Sequence, residues 1–546
     1  MLNKSCKNCG NNFEITDNDL QFYKKIDVTE PTFCPTCRLQ RRLTFRNERN
    51  LFKRKCDMCS REIFTFYDQN VVFPVYCTEC WWGDKWDSLE YGREFDFKRP
   101  FFPQFQELMN EVPKIGMLSF QNENSPYNSL LAFSKNTYMS PGSYCMEDSY
   151  YVRKSQYSKD CLNSLFLDHC ELVSNSVNSQ NCYNCDHILN CRNCFDCMYL
   201  ADSFSCKNCF MCSGISNKEF YYKNQRYSEG DYRAIVKDQL ERDPKDLMDE
   251  FLEFNTTVPK RFQNQINCEN SSGDYIQNSS NARECYDCFD VEDSKYLFEC
   301  VNVKDSMDVS DHDKEVELCY ELCTGGEKSY KHILSVASIA CPNTSYLYSC
   351  YYLSDSFGCD GFHSKQKNCI LNRKYSETDY NLLKGKIIEH MKALGEYGEF
   401  FPSSISPFPY NHTIAQDYFP LTKEFALEKG YKWKDEDESL YKPATFQLPD
   451  DINTVPNSVT KEILECEDCS KNYKIISQEL NLCKRTHRSL SKKCPDCRHR
   501  LLLSLKNPRK LNDRECDRCG DPIQTTYTEN RPEKAYCEKC YLQQIA

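Results

Sequence analysis

The chain has 546 residues, a net charge of −12, 38 cysteines and 13% aromatic residues. That length exceeds one ordinary domain, and the aromatic content excludes a disordered composition. Met1-Leu2-Asn3-Lys4-Ser5-Cys6 carries no apolar stretch of the signal-peptide kind, and no run of about 18 apolar residues follows. The expectation is therefore a cytoplasmic chain without membrane contact, whose paired cysteines stay reduced and bind metal.

Residues 1–80 contain Cys6/Cys9, Cys34/Cys37, Cys56/Cys59 and Cys77/Cys80. Two cysteines two residues apart bend their thiolates onto one ion, and two such pairs complete a tetrahedron. The segment reads as a double zinc-ribbon module. A four-thiolate shell is closed, so these sites are structural rather than catalytic. Sequential pairing of the motifs is the simplest arrangement, and a cross-braced one stays open.

After Cys34-Pro35-Thr36-Cys37 the run Arg38 to Arg49 lacks Gly and Pro and favours helix. A strand pair followed by a ligand pair that opens a helix is the treble-clef plan. At about 100° per residue Arg38, Arg42, Arg46 and Arg49 share one side, with Arg41 at its margin. Such a stripe is either a solvated face or a phosphate footprint for RNA or DNA.

The first ribbon, with Cys6-Lys7-Asn8-Cys9-Gly10, Phe13, Leu20, Phe22, Tyr23 and Cys34 to Arg38, resembles a small bacterial zinc-ribbon domain family over roughly forty residues. The whole layout, including Cys80-Trp81-Trp82-Gly83-Asp84-Lys85-Trp86 and Tyr418-Phe419-Pro420-Leu421-Thr422-Lys423-Glu424, is similar to large uncharacterised zinc-ribbon proteins of bacteria with reduced genomes. The resemblance implies zinc-ribbon modules and supplies no activity.

Residues 81–137 form an aromatic connector with a short helix near Phe105 to Met109. Two further segments, 138–258 and 259–398, hold 21 more cysteines. Asp160-Cys161-Leu162, Asn181-Cys182-Tyr183 and Asp202-Ser203-Phe204 recur 21 residues apart. A fixed period of that size marks a repeat architecture. Each unit is too short for a helix, so the prediction is a two-part parallel β-helix-like solenoid with three strands per 21-residue turn. Cys161, Cys182 and Ser203 would stack on adjacent turns. Buried cysteine behaves as a small hydrophobe, so this ladder needs no metal; a further site at Cys182, Cys185, Cys191 and Cys194 is the alternative. Each half ends in Ser-x-x-Asp, at Ser228 and Ser376, which marks a helix start, with helices expected over 229–255 and 377–394. The acidic stretch from Asp287 to Glu327 reads as a solvated face.

Residues 399–460 are a Pro- and aromatic-rich connector, with 435–456 as a linker. Residues 461–546 copy 1–86. Adding 460 to each N-terminal cysteine number gives Cys466, Cys469, Cys494, Cys497, Cys516, Cys519, Cys537 and Cys540 without a gap. The copy retains basic residues at Arg498, Arg500, Arg509, Lys510 and Arg514, but Leu502 and Lys506 replace Arg42 and Arg46.

The fold class expected is mainly β: a two-part solenoid flanked by duplicated double zinc-ribbon modules, with about four zinc ions per chain. The expected function is a non-catalytic zinc protein whose solenoid presents modules that bind nucleic acid, RNA or a ribonucleoprotein. The alternative is a scaffold for protein partners along the solenoid. An enzyme using the solenoid groove is disfavoured, because no phosphate loop, H-E-x-x-H or nucleophile elbow occurs.

Overall fold

The structure is a computed structural model that describes residues 1–437 and 441–545. It is mixed α/β, with many parallel strands, rather than mainly β. Helices as long as Glu377–Ala393 accompany two nine-stranded sheets. Among the described residues no helix is long and apolar enough to cross a membrane.

The chain divides into two compact units. One joins Met1–Met117 to Gln263–Lys434; the other joins Leu118–Phe262 to the chain from Asp435 onward. Each unit thus contains one cysteine module and one parallel array. The expected connectors 81–137 and 399–460 are each divided between the units, at 117/118 and 434/435. The expected linker 435–456 includes 438–440, which lie outside the described residues.

In each array consecutive strands are parallel neighbours, as the sequence predicts, but the spacing is corrected. Tyr150 pairs with Leu162, Leu162 with Ser174, Val173 with Cys185, Asp186 with Met198 and Met198 with Phe210, each 12 residues on. The second array repeats this, with Gly273 beside Cys285 and Phe289 beside Val301. A bulge after Val301 inserts one residue, so that Met307 pairs with Tyr320, and the next turn is also one residue longer, with Tyr320 beside Ile333.

The underlying step is three residues. Asp160, Asn163, Phe166, His169 and Leu172 all have φ between 50° and 57° except Asn163, at 45°. Four such steps separate hydrogen-bonded neighbours. A separation of 21 is seven steps, so it returns the same local geometry on a different part of the ladder. That is why Asp160-Cys161 and Asn181-Cys182 look alike without being neighbours. Cys182 belongs instead to a register with Cys170, Cys194 and Cys206, 12 residues apart.

The left-handed residue in each step favours Asn and Asp, whose short side chains tolerate that region. Their amides then bond along the array: Asn178 Nδ2 donates to Asn190 Oδ1 at 3.2 Å, and Asn190 Nδ2 to Asp202 Oδ1 at 2.9 Å. The following residue is buried and small. Cys161, Ser164, Cys170, Ser176 and Cys185 are all at most 2% exposed. Thiols and hydroxyls there bond to backbone: Cys161 Sγ donates to the Lys159 carbonyl at 3.2 Å, and the Cys170 amide donates to Ser158 Oγ at 3.0 Å. Serine and cysteine are used because each fits a narrow interior and carries a donor for a carbonyl there.

Both Ser-x-x-Asp signals start helices. The Asp231 amide donates to Ser228 Oγ and the Asp379 amide to Ser376 Oγ. The first expected helix is broken into Glu229–Gln239 and Pro244–Thr257, because Pro244 opens a new helix capped by Asp243. Helix Phe101–Glu111 of the aromatic connector stacks Phe105 on Phe401 at 5.0 Å.

Candidate metal centres and the arginine interface

Each half-module is built alike. The hairpin Leu2–Ser5 with Asn12–Ile15 brings Cys6 and Cys9 into its turn. Gly10, at φ 75°, closes that turn, with its amide on the Cys6 carbonyl at 2.9 Å. Ser60, Ser470 and Gly520 repeat the geometry after the other three hairpin motifs. The second pair of each site comes from a helix start. Cys34 caps helix Pro35–Leu43 and Cys494 caps Pro495–Ser504, with proline at the first helical position in both.

The sixteen cysteines fall into four groups: Cys6, Cys9, Cys34 and Cys37; Cys56, Cys59, Cys77 and Cys80; Cys466, Cys469, Cys494 and Cys497; Cys516, Cys519, Cys537 and Cys540. Within each group all sulfurs lie within 4.8 Å of one another. This is the sequential arrangement; no group is cross-braced. The contacts Cys9–Cys34 and Cys59–Cys77 are both 3.8 Å, and Cys469–Cys494 and Cys519–Cys537 are both 3.7 Å. A tetrahedron with metal–sulfur bonds of about 2.3 Å has edges of about 3.8 Å, so the donor sets fit a tetrahedral ion. Backbone amides support one sulfur in each: the Cys34 amide donates to Cys6 Sγ, Cys77 to Cys56, Cys494 to Cys466 and Cys537 to Cys516, all at 3.2 Å. Each group can therefore hold one metal ion. Among the described residues the central cysteines join no such group, Cys182, Cys185, Cys191 and Cys194 included.

The arginine stripe is corrected. Arg38, Arg41, Arg42 and Arg46 are 1%, 6%, 0% and 2% exposed. Helix Pro35–Leu43 packs on strands Met307–Glu317 and Tyr320–Gly326 of the same unit. Arg38 Nη2 lies 2.8 Å from Asp308, Arg42 Nη1 3.0 Å from both Asp308 and Glu321, and Arg41 2.9 Å from Glu321 and Glu399. Arg46 reaches Glu299 at 3.0 Å and Asp311 at 3.1 Å, and also pairs with Glu48. Burial works against the Arg38 charge, but Asp308 together with Tyr23 and Tyr320 outweighs it and holds the guanidinium well above its ordinary pKa. Arg49, the last of the stripe, lies beyond the end of the helix at Leu43 and is half-buried. The acidic stretch is corrected in part: Asp308, Asp311 and Glu321 are buried partners, whereas Asp290, Glu292, Asp293, Glu315 and Glu317 are exposed, as a solvated face requires.

In the other unit the equivalent helix Pro495–Ser504 packs on strand Leu162–Asp168. Arg498 is 4% exposed, 2.6 Å from Glu479 and over the Tyr151 ring at 4.9 Å. Leu502 joins the buried apolar cluster with Leu165, Val177 and Leu189, and Lys506 lies over Phe166. Arg514 pairs with Asp517 at 2.8 Å and Arg509 is half-buried. Arg500 and Lys510 stay exposed. Sequence reasoning missed Asp308 and Glu321 as partners because their separation from the stripe, about 270 residues, leaves no local signal.

No family model matches the chain, and no curated protein matches it. Among solved structures, one described as a "putative acetyltransferase" from Desulfovibrio desulfuricans G20 covers 52% of this chain and 82% of its own, at 8% identity and a TM-score of 0.11. A likeness at that score carries no argument about fold or activity. The four tetra-cysteine clusters are consistent with zinc-ribbon-like modules.

Proposed function

We propose that this is a non-catalytic zinc protein, in which two β-solenoid halves act as a scaffold and the zinc modules clamp onto them. The observation that carries this reading is the set of four closed tetrathiolate groups. Borderline-soft zinc suits four thiolates, and a filled shell leaves no place for substrate. The parallel 12-residue register supports a solenoid of four short sides per coil. Protein partners along its exposed faces fit this reading better than RNA or DNA, because the arginines that motivated phosphate contact are engaged by carboxylates of their own chain.

Two measurements test it together. Native mass spectrometry of the reduced protein should give four zinc ions per chain. A salt titration with a single-stranded RNA should show no binding with a phosphate-release slope. A metal count near zero in folded protein overturns the zinc reading. Salt-dependent RNA binding at full zinc occupancy overturns the choice of partner.

A further inference from the structure

The array in the unit beginning at Leu118 carries an exposed stripe of rings. Phe120, Phe133, Tyr144, Tyr157 and His169 contact one another in sequence, with centroids 5.5, 5.3, 5.6 and 4.8 Å apart. Phe120, Phe133 and Tyr157 are 56%, 45% and 48% exposed. The stripe follows one line of the ladder, in which Phe120, Ala132, Tyr144, Gln156 and Asp168 are successive parallel partners: Phe120 and Tyr144 stand on that line, and Phe133, Tyr157 and His169 each come one residue after a member of it. Gln180 and Arg192 continue the same line.

Two features bear on the use of this stripe. First, Phe133 and Tyr157 occupy left-handed positions, at φ 53° and 48°. Bulky side chains are strained there, and asparagine is the residue that tolerates the region. Asn181 and Asn193 stand at the equivalent positions two and three registers beyond Tyr157, at φ 52° and 53°. Burial does not offset the strain at Phe133 and Tyr157, because both are exposed. Bulky residues recur at left-handed positions elsewhere in the arrays, Phe166 and Tyr352 among them, so it is the unbroken run of five touching rings that sets this face apart. Second, polar groups held in place flank the rings. Asp168 accepts from Gln180 Nε2 at 2.7 Å and lies 2.7 Å from His169 Nδ1, which fixes the imidazole at the end of the stack.

We propose that this face binds a neutral sugar polymer. Ring ladders offer C–H/π contact to a pyranose on each strand step of about 4.8 Å, and the amides, the imidazole and Arg192 supply hydrogen bonds to hydroxyls. Charge favours a neutral occupant. The adjoining face neutralises itself through Lys135 with Glu123 at 3.1 Å and Lys159 with Glu147 at 3.2 Å. It gives a polyanion no field to follow.

The test is affinity electrophoresis of the full zinc-loaded chain in gels containing hydroxyethylcellulose or glycogen, with poly(U) RNA as the charged comparison. The wild-type chain should be retarded by at least one of the two polysaccharides. The double variant Phe133→Asn/Tyr157→Asn should bind at least about tenfold more weakly. Its melting temperature should be unchanged or higher, because asparagine relieves the backbone. Absence of retardation on both polysaccharides, retardation by poly(U) alone, or undiminished binding by the variant overturns the proposal. So does a fall in melting temperature, which would give the rings a structural role.

Discussion

Arg42 has no exposed surface and shares one guanidinium nitrogen between Asp308 and Glu321. Removing one member of a buried ion cluster leaves its partners uncompensated and costs roughly 3–5 kcal/mol. Arg42→Ala should therefore lower unfolding free energy by that order in urea titration of the intact protein. A loss below about 1 kcal/mol would mean that the charges are solvated. His332 is a second buried polar residue, 1% exposed, with neither ring nitrogen hydrogen-bonded. Burial, with a smaller contribution from His312, pushes its pKa down to about 3 from 6.5. A depressed folded pKa means that its contribution to stability is complete above about pH 6.5 and is lost as pH falls toward 3. At pH 4.5 that loss approaches roughly 3 kcal/mol. His332→Leu should flatten the stability profile between pH 6.5 and 4.5, measured by denaturant midpoints. An unchanged slope would place the acid sensitivity elsewhere.

Helix Pro35–Leu43 links metal to docking. Its cap is Cys34, its first turn holds Cys37, and its later turns carry Arg38, Arg41 and Arg42. An isolated nine-residue helix is unstable in water, so metal and packing must hold it together. Cys34→Ser should remove one zinc of four by mass spectrometry and raise proteolytic cleavage within residues 30–50. The other three sites share no ligand with it and should stay filled. The arrays obey a different local logic. Their three-residue step is set by left-handed Asn and Asp and by buried Cys and Ser, which form no tetra-cysteine cluster among the described residues.

At the scale of the molecule, each compact unit is assembled from segments distant in sequence. The first module joins the second array, and the second module joins the first array. The two contacts use one geometry with a different balance of chemistry: buried arginine–carboxylate pairs around helix Pro35–Leu43 in one unit, and in the other Leu502, Arg498 and Lys506 against apolar and aromatic side chains, joined by Arg485 with Asp160 and Arg488 at 3.6 Å from Asp186. Chelation should therefore separate two kinds of structure. Removing the metal should abolish the module helices while leaving the β signal of the arrays in circular dichroism. Complete loss of both signals in one step would show that the arrays depend on the modules.

The sequence by itself determined the four metal groups, because ligand spacing and an ungapped duplication are local and exact in count. It determined parallel strands in the centre and both helix starts at Ser228 and Ser376 for the same reason: each depends on residues close together in the chain. The 12-residue register was not legible, because a three-residue step makes every multiple of three look periodic, 21 included. Only the tertiary structure decided the fate of the arginine stripe. A row of Arg on a helix carries the same pattern whether it meets solvent, a polyanion or carboxylates of its own chain. Asp308 and Glu321, brought beside it by long-range packing, settle that the charge is neutralised from within.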